Sequence, residues 1–263
     1  MRRALLHALV ALAALPAAAQ LPGPGSGGVE PEKSYASPKH FAFEAKFGPY
    51  KPSIDDEFPS GQTGPYSRYF GGSGLMSQFE FDYQLFQKFG SIGVGLGLGY
   101  FTKSGKSFPC LPGTGAACEP DFSTKSGDST SINVLPLALL AIYRFDVLAL
   151  RYRVPVVPYV KGGLTYSFWW INKGNGKVAS VTGADGTKDN GRNGQFGLTV
   201  TGGVALMLDA FDTGAGRELD GALGINHTYI FWEWNWSGAD GFGAKSALRI
   251  GDSNWLAGLA FEF

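Results

Sequence analysis

Hydrophobic and polar residues alternate along most of this chain. At the end, 254–263, Trp255, Ala257, Leu259, Phe261 and Phe263 fall on one face and Asn254, Leu256, Gly258, Ala260 and Glu262 on the other. Strict period-two alternation over this length predicts a strand whose two faces meet different environments. The same pattern predicts strands over 40–50, 74–87, 91–102, 130–145, 156–171, 195–208 and 221–236, for eight in all. In the first, Phe41, Phe43, Ala45 and Phe47 oppose Ala42, Glu44, Lys46 and Gly48. In the third, Ile92, Val94, Leu96, Leu98 and Tyr100 oppose Gly93, Gly95, Gly97 and Gly99. The fourth is apolar on both faces around 135–142, and its parity stays open, as does that of the seventh.

The connections alternate as well. Those at 51–73, 103–129, 172–194 and 237–251 are long and rich in Gly, Pro and polar residues. Those near 88–90, 146–155 and 209–220 are shorter. An eight-stranded antiparallel transmembrane β-barrel has this layout, with long outer loops and short periplasmic turns. Under that topology Trp169, Trp170, Trp232, Trp234, Trp236 and Trp255 fall at the outer ends of their strands, as an aromatic girdle at the membrane interface. The apolar segment 134–150 carries Pro136, Arg144 and Asp146 and is no spanning helix. A closed barrel is the other way to satisfy every backbone group in lipid.

Alternation alone does not say which face is wet. A soluble, lipocalin-like barrel would bury the Phe/Leu face, but the polar faces of several strands here are Gly and Ser rather than Lys and Glu. With the apolar face toward lipid, Glu44, Lys46, Glu80, Asp82, Lys161 and Glu262 point into the lumen, with Glu233 a further candidate. Charges of both signs in a narrow barrel are expected to pair and plug it, since bare burial is expensive. Pro136, Ala138, Leu140 and Ile142 form an apolar lumen patch if the fourth strand keeps that parity.

Composition agrees with a barrel. Charged residues make up 17% of the chain, against about a quarter in soluble proteins. The formal charge is zero, and no clustered basic face suggests nucleic acid. Arg2 and Arg3, an apolar run from Ala4 to Leu15, and Ala17, Ala18 and Ala19 predict a cleaved signal peptide over 1–19. Residues 20–38 read as a flexible periplasmic tether and 39–263 as the barrel. In an exported chain Cys110 and Cys118 are expected to form a disulfide, since no His or further Cys lies near for a metal pair.

Motifs for chemistry are weak. The Gly105-Lys106-Ser107 step resembles a phosphate loop, but Tyr100 stands where the earlier glycine is required and no helix follows. His227 has Asn226 and Glu233 near it in sequence, and no serine that would complete a nucleophile. Asp185, Asp189, Asn190 and Asn193 fit no calcium spacing and read as turn formers. No catalytic residue, metal or cofactor is predicted.

The terminal Phe261 and Phe263 resemble the assembly signal of bacterial outer-membrane barrels. Together with the signal peptide, the Phe-rich first strand and the eight amphipathic strands, they resemble small barrels of the OmpW/OmpA-like type. The segment 41–52 (FAFEAKFGPYKP), Tyr143-Arg144-Phe145-Asp146 and Val157-Pro158-Tyr159 look most like the myxobacterial outer membrane β-barrel family, which has no assigned activity. The resemblance implies a cell outer-membrane location, outer-membrane lipid around the chain and the barrel assembly machinery as a partner in biogenesis. It leaves a structural or surface-interaction role, passage of small hydrophobic molecules, or, less favoured, a lipid-modifying enzyme at His227.

Overall fold

The computed structural model describes residues 39–59, 61–111, 120–182, 187–244 and 247–263. The signal peptide and tether expected over 1–38, Cys118 and Asp185 lie outside the described residues. Ten strands form: β1 (Phe41–Tyr50), β2 (Gly74–Gln87), β3 (Ser91–Lys106), β4 (Ser129–Arg144), β5 (Val156–Lys173), β6 (Ser180–Thr182), β7 (Lys188–Asn190), β8 (Arg192–Met207), β9 (His227–Gly238) and β10 (Asp252–Glu262). Eight of them close a single antiparallel barrel in the order β1-β10-β9-β8-β5-β4-β3-β2. β6 and β7 form a separate hairpin beyond it.

Closure joins the two ends of the described chain. β10 runs against β1 from Phe47↔Ala257 to Ala42↔Glu262. Phe263 extends the seam, donating its N–H to the Phe41 carbonyl at 2.9 Å and accepting from the Phe41 N–H at 2.8 Å. Its ring packs near Phe41 and Phe81, with centroids 6.3 and 6.4 Å away.

The outside of the barrel is apolar and the inside carries charge. Phe79, Phe81, Leu96, Leu98, Leu164, Val200, Trp234 and Trp255 are exposed, while Lys161 and Glu233 are 1% and 0% exposed. The pleat alone produces this separation, because neighbouring residues in a strand point to opposite faces. β4 resolves its parity the same way: Leu137, Leu139 and Tyr143 face out, and Leu140, Ile142 and Arg144 are buried within. No helix of the described residues is long and apolar enough to cross a membrane.

The connections hold more structure than the alternation pattern predicts. At the turn end of the barrel α2 (Val147–Tyr152) fills the link between β4 and β5. The expected seventh strand from 221 is corrected to a helix, α3 (Thr213–Leu223), followed by β9. Asp212 caps α3 by accepting from the Gly214 and Ala215 N–H groups, and Gly224 ends it in the left-handed region with φ 71°. The link 208–226 is therefore longer than the 239–251 loop, and not all the turns are short.

At the loop end a 3₁₀ turn (Ser53–Glu57) and α1 (Pro65–Phe70) fold together. Asp55 accepts from the Tyr66 and Ser67 N–H groups at 2.8 and 3.0 Å. This segment is tied to the 247–252 stretch. Ser53 donates twice to the Gly251 carbonyl, the Tyr50 hydroxyl donates to the Ile250 carbonyl, and the Arg249 N–H donates to Glu57 at 2.7 Å. Beneath it Tyr50, Ile54, Tyr66, Met76, Phe101 and Ile132 form a buried apolar cluster.

Candidate functional site: the barrel lumen

The lumen is crossed by one ion-pair network. Lys161, on β5, places Nζ 2.5 Å from both Glu44 Oε2 and Glu80 Oε1. Lys46, on β1, places Nζ 2.7 Å from Glu80 Oε2 and 2.9 Å from Glu233 Oε1. Arg144, at the end of β4, reaches Glu44 Oε1 and Asp82 Oδ2, each at 2.5 Å, and Glu262 Oε1 at 3.4 Å. Tyr159 donates to Glu233 at 2.9 Å; Tyr229 and Gln84 donate to Glu262 at 3.0 and 2.9 Å. Toward the turn end Lys39 lies 3.4 Å from Glu262, and Asp146 accepts from the Ser91 hydroxyl.

The network brings together Glu44, Lys46, Glu80, Asp82, Lys161 and Glu262, the six lumen charges read from the sequence. It also includes Arg144, Glu233, Tyr159, Tyr229 and Gln84. Arg144 carries three of the pairs, yet the apolar run before it hides its parity, which pairing with β3 and β5 fixes. The network draws on β1, β2, β4, β5, β9 and β10, so side chains tie the wall across its diameter as well as along its ladders. β3 contributes space. A Cβ at Gly95 would collide with the Asp82 carboxylate and with Ile142, and one at Gly99 with Pro136.

Glu44, Glu80 and Asp82 bring possible ligand atoms within 4.8 Å of one another. Their charges are engaged by Lys161 and Arg144, so this geometry is an ion-pair cluster and not an open cation cage.

Between the network and the apolar cluster lies a cavity of about 60 Å³. Its lining includes the apolar wall of Gly97, Gly99, Pro136 and Ala138 together with Thr165, Thr199, Thr201 and Asn235. The β3–β4 ladder breaks beside the apolar wall: it runs to Leu98↔Leu137 and resumes at Phe101↔Val134. Pro136 lies in the gap and has no N–H to donate. In the cap above, burial pushes the Tyr66 hydroxyl up from its ordinary range, with the charge of Asp55 acting in the same direction.

The other predicted residues separate. Trp170, Trp234, Trp236 and Trp255 face outward; Trp234 stands opposite Trp255. Trp169 is a correction. It lies opposite Val134 and packs on the interior apolar cluster, because its place in the pleat is one residue off Trp170. Trp232 faces outward but pairs with Ala257, halfway along its strand and not at its end. His227 does not meet Glu233; its Nδ1 lies 2.9 Å from Asp209 Oδ2. Asp189 and Asn190 sit in the β6–β7 hairpin and Asn193 accepts from the Gly194 N–H, so they are not gathered around a common point. Cys110 bridges to Pro120 at the neck of the second loop, and its predicted partner Cys118 is outside the described residues.

No family model and no curated protein matches the chain. Among solved structures it is similar to the outer membrane protein OprG from Pseudomonas aeruginosa, with 14% identity over 87% of this chain and 97% of that one and a TM-score of 0.48. It is also similar to Neisserial surface protein A, with 14% identity over 86% of this chain and 97% of that one and a TM-score of 0.41. For Outer Membrane Protein W from E. coli the values are 14%, 87% and 100%, with a TM-score of 0.29. At this distance these likenesses identify no family.

Proposed function

We propose that the chain is an integral outer-membrane β-barrel, filled by its own side chains, with a structural or surface-interaction role carried by its folded outer loops. The observation that carries this reading is the inversion of sides. Aliphatic and aromatic side chains cover the outside while lysines, an arginine and carboxylates are buried inside. In water that outer band would cost about 25 cal/mol for each Å² left exposed. In hydrocarbon the cost vanishes, and closure leaves no unpaired strand edge.

The long loops then face outward, residues 1–19 are the removed signal peptide, 20–38 a periplasmic tether, and Cys110 and Cys118 a staple in the second loop. Phe261 and Phe263 are the signal read by the assembly machinery. The role is read as non-enzymatic: His227 Nδ1 lies 2.9 Å from the Asp209 carboxylate, in an ordinary pair. Unchanged membrane lipid composition in a His227→Ala strain is the matching expectation. The membrane reading is tested by fractionation. The mature chain should leave cells only with detergent and shift in gel mobility on heating; recovery of a folded monomer from the periplasm without detergent would refute it.

A second reading, passage of small hydrophobic molecules, is favoured by the side-chain-poor wall at Gly97, Gly99 and Pro136 and the ladder gap beside it. Uptake of an apolar dye into proteoliposomes, lost on closing the gap with Pro136→Val, would support it. Uptake no faster than in protein-free vesicles would sink it.

A further inference from the structure

The barrel wall is uneven in height, and its tall side carries a surface that the filled-barrel reading does not use. β3, β4, β5 and β8 are 16, 16, 18 and 16 residues long, while β1, β9 and β10 are 10, 12 and 11. The extra length lies at the loop end, where β3 runs to Lys106 and β8 starts at Arg192. Tyr100 and Trp170 mark the top of the outward apolar band there, with ring centroids 6.5 Å apart.

Above them the outward face changes character. Counting by two from Tyr100, β3 presents Thr102, Ser104 and Lys106, all exposed. Ser131 and Ser129 lie opposite Ser104 and Lys106 on β4. Arg192 lies opposite Trp170 on β8 and is exposed. These outward positions carry hydroxyls and two cations and no carboxylate; the acids nearest in the chain, Asp128 and Asp189, belong to the second loop and to the β6–β7 hairpin. Lys106 donates to the Gly127 carbonyl at 3.3 Å, and no ion pair engages it or Arg192 among the described residues. An ordinary solvated strand face would mix both signs of charge. A hydroxyl-rich, acid-free cationic face suits an anionic surface rich in sugar hydroxyls.

We propose that this tall face docks the phosphorylated sugar headgroup of an outer-leaflet glycolipid, with Lys106 and Arg192 on its phosphates and the serine and threonine hydroxyls on its sugars. The inference rests on the membrane reading above, which sets the face against the outer headgroup layer. The surface continues directly from the lipid-facing aromatics, so a lipid is the occupant its position favours.

The test uses the folded mature chain in neutral detergent micelles doped with phosphorylated lipopolysaccharide, the same glycolipid after dephosphorylation, or inorganic phosphate alone. Lipopolysaccharide should co-elute with the barrel and raise the temperature of its heat-induced gel shift. Dephosphorylated glycolipid and inorganic phosphate should do neither. Lys106→Gln with Arg192→Gln should weaken co-elution about tenfold or more, as expected for two cations lost from an anionic lipid surface, while leaving the gel shift in plain detergent unchanged. Lys106→Arg with Arg192→Lys should restore binding. Equal binding by the double glutamine variant, or an equal effect of inorganic phosphate, would overturn the proposal. A chain that shows no heat-modifiable barrel in any detergent would instead overturn the membrane reading.

Discussion

At the scale of single residues, Lys161 is the most consequential side chain inside the barrel. Its ammonium lies between Glu44 and Glu80, with Glu233 at 3.8 Å. Lys161→Met would leave these carboxylates buried with too few partners. Breaking a buried pair from one side costs about 3–5 kcal/mol, and denaturant unfolding in vesicles should read that loss. Adding Glu44→Gln to the same chain should recover part of it; a double variant as unstable as the sum of the singles would mean the two do not interact. Gly95 makes a steric prediction. Gly95→Val would press on Asp82 and Ile142, and overpacking of this kind costs about 1–3 kcal/mol, read in the same unfolding assay. Residues of this kind were readable where alternation is sharp: Glu44 and Lys46 among phenylalanines, Glu80 and Asp82 among aromatics. Arg144 was not, because β4 is apolar on both faces and only pairing with β3 and β5 fixes its parity.

At the scale of elements, β10 completes the molecule by pairing with β1 on one side and β9 on the other. The Phe263 backbone donates to and accepts from Phe41, so the last residue holds the seam at the turn end. Deleting Phe263 should lower the amount of folded barrel in the outer membrane more than any substitution in the long loops, as measured by the heat-modifiable fraction. Normal yield of the truncated chain would contradict its role. The strands were legible from period-two pattern, and α3 was not. Its signals are local, Asp212 at the start and Gly224 at the end, but a short polar connector has the same composition. The outer cap was less legible still. Asp55 reaches α1 across eleven residues, and Ser53 bonds to Gly251 from the far end of the chain, so nothing in either segment alone announces the fold. Trp169 packs on that cap and not in the girdle because its place in the pleat is one residue off Trp170.

At the scale of the whole molecule, two buried layers lie across the lumen. The ion-pair network ties six strands together across the middle, and the apolar cluster lies under the 3₁₀ turn and α1 at the loop end. The space between them is small. A barrel built this way can keep a charged middle, because each buried charge there is held by partners from other strands. The same network makes ion passage through the barrel axis expensive, since an ion would have to displace Lys161 or Arg144 from their carboxylates. Single-channel recording of the refolded mature chain in a planar lipid bilayer tests this most directly. The closed-lumen account predicts no stepwise current in the wild-type protein at moderate voltage. Stable, frequent conductance steps in the wild type would contradict it.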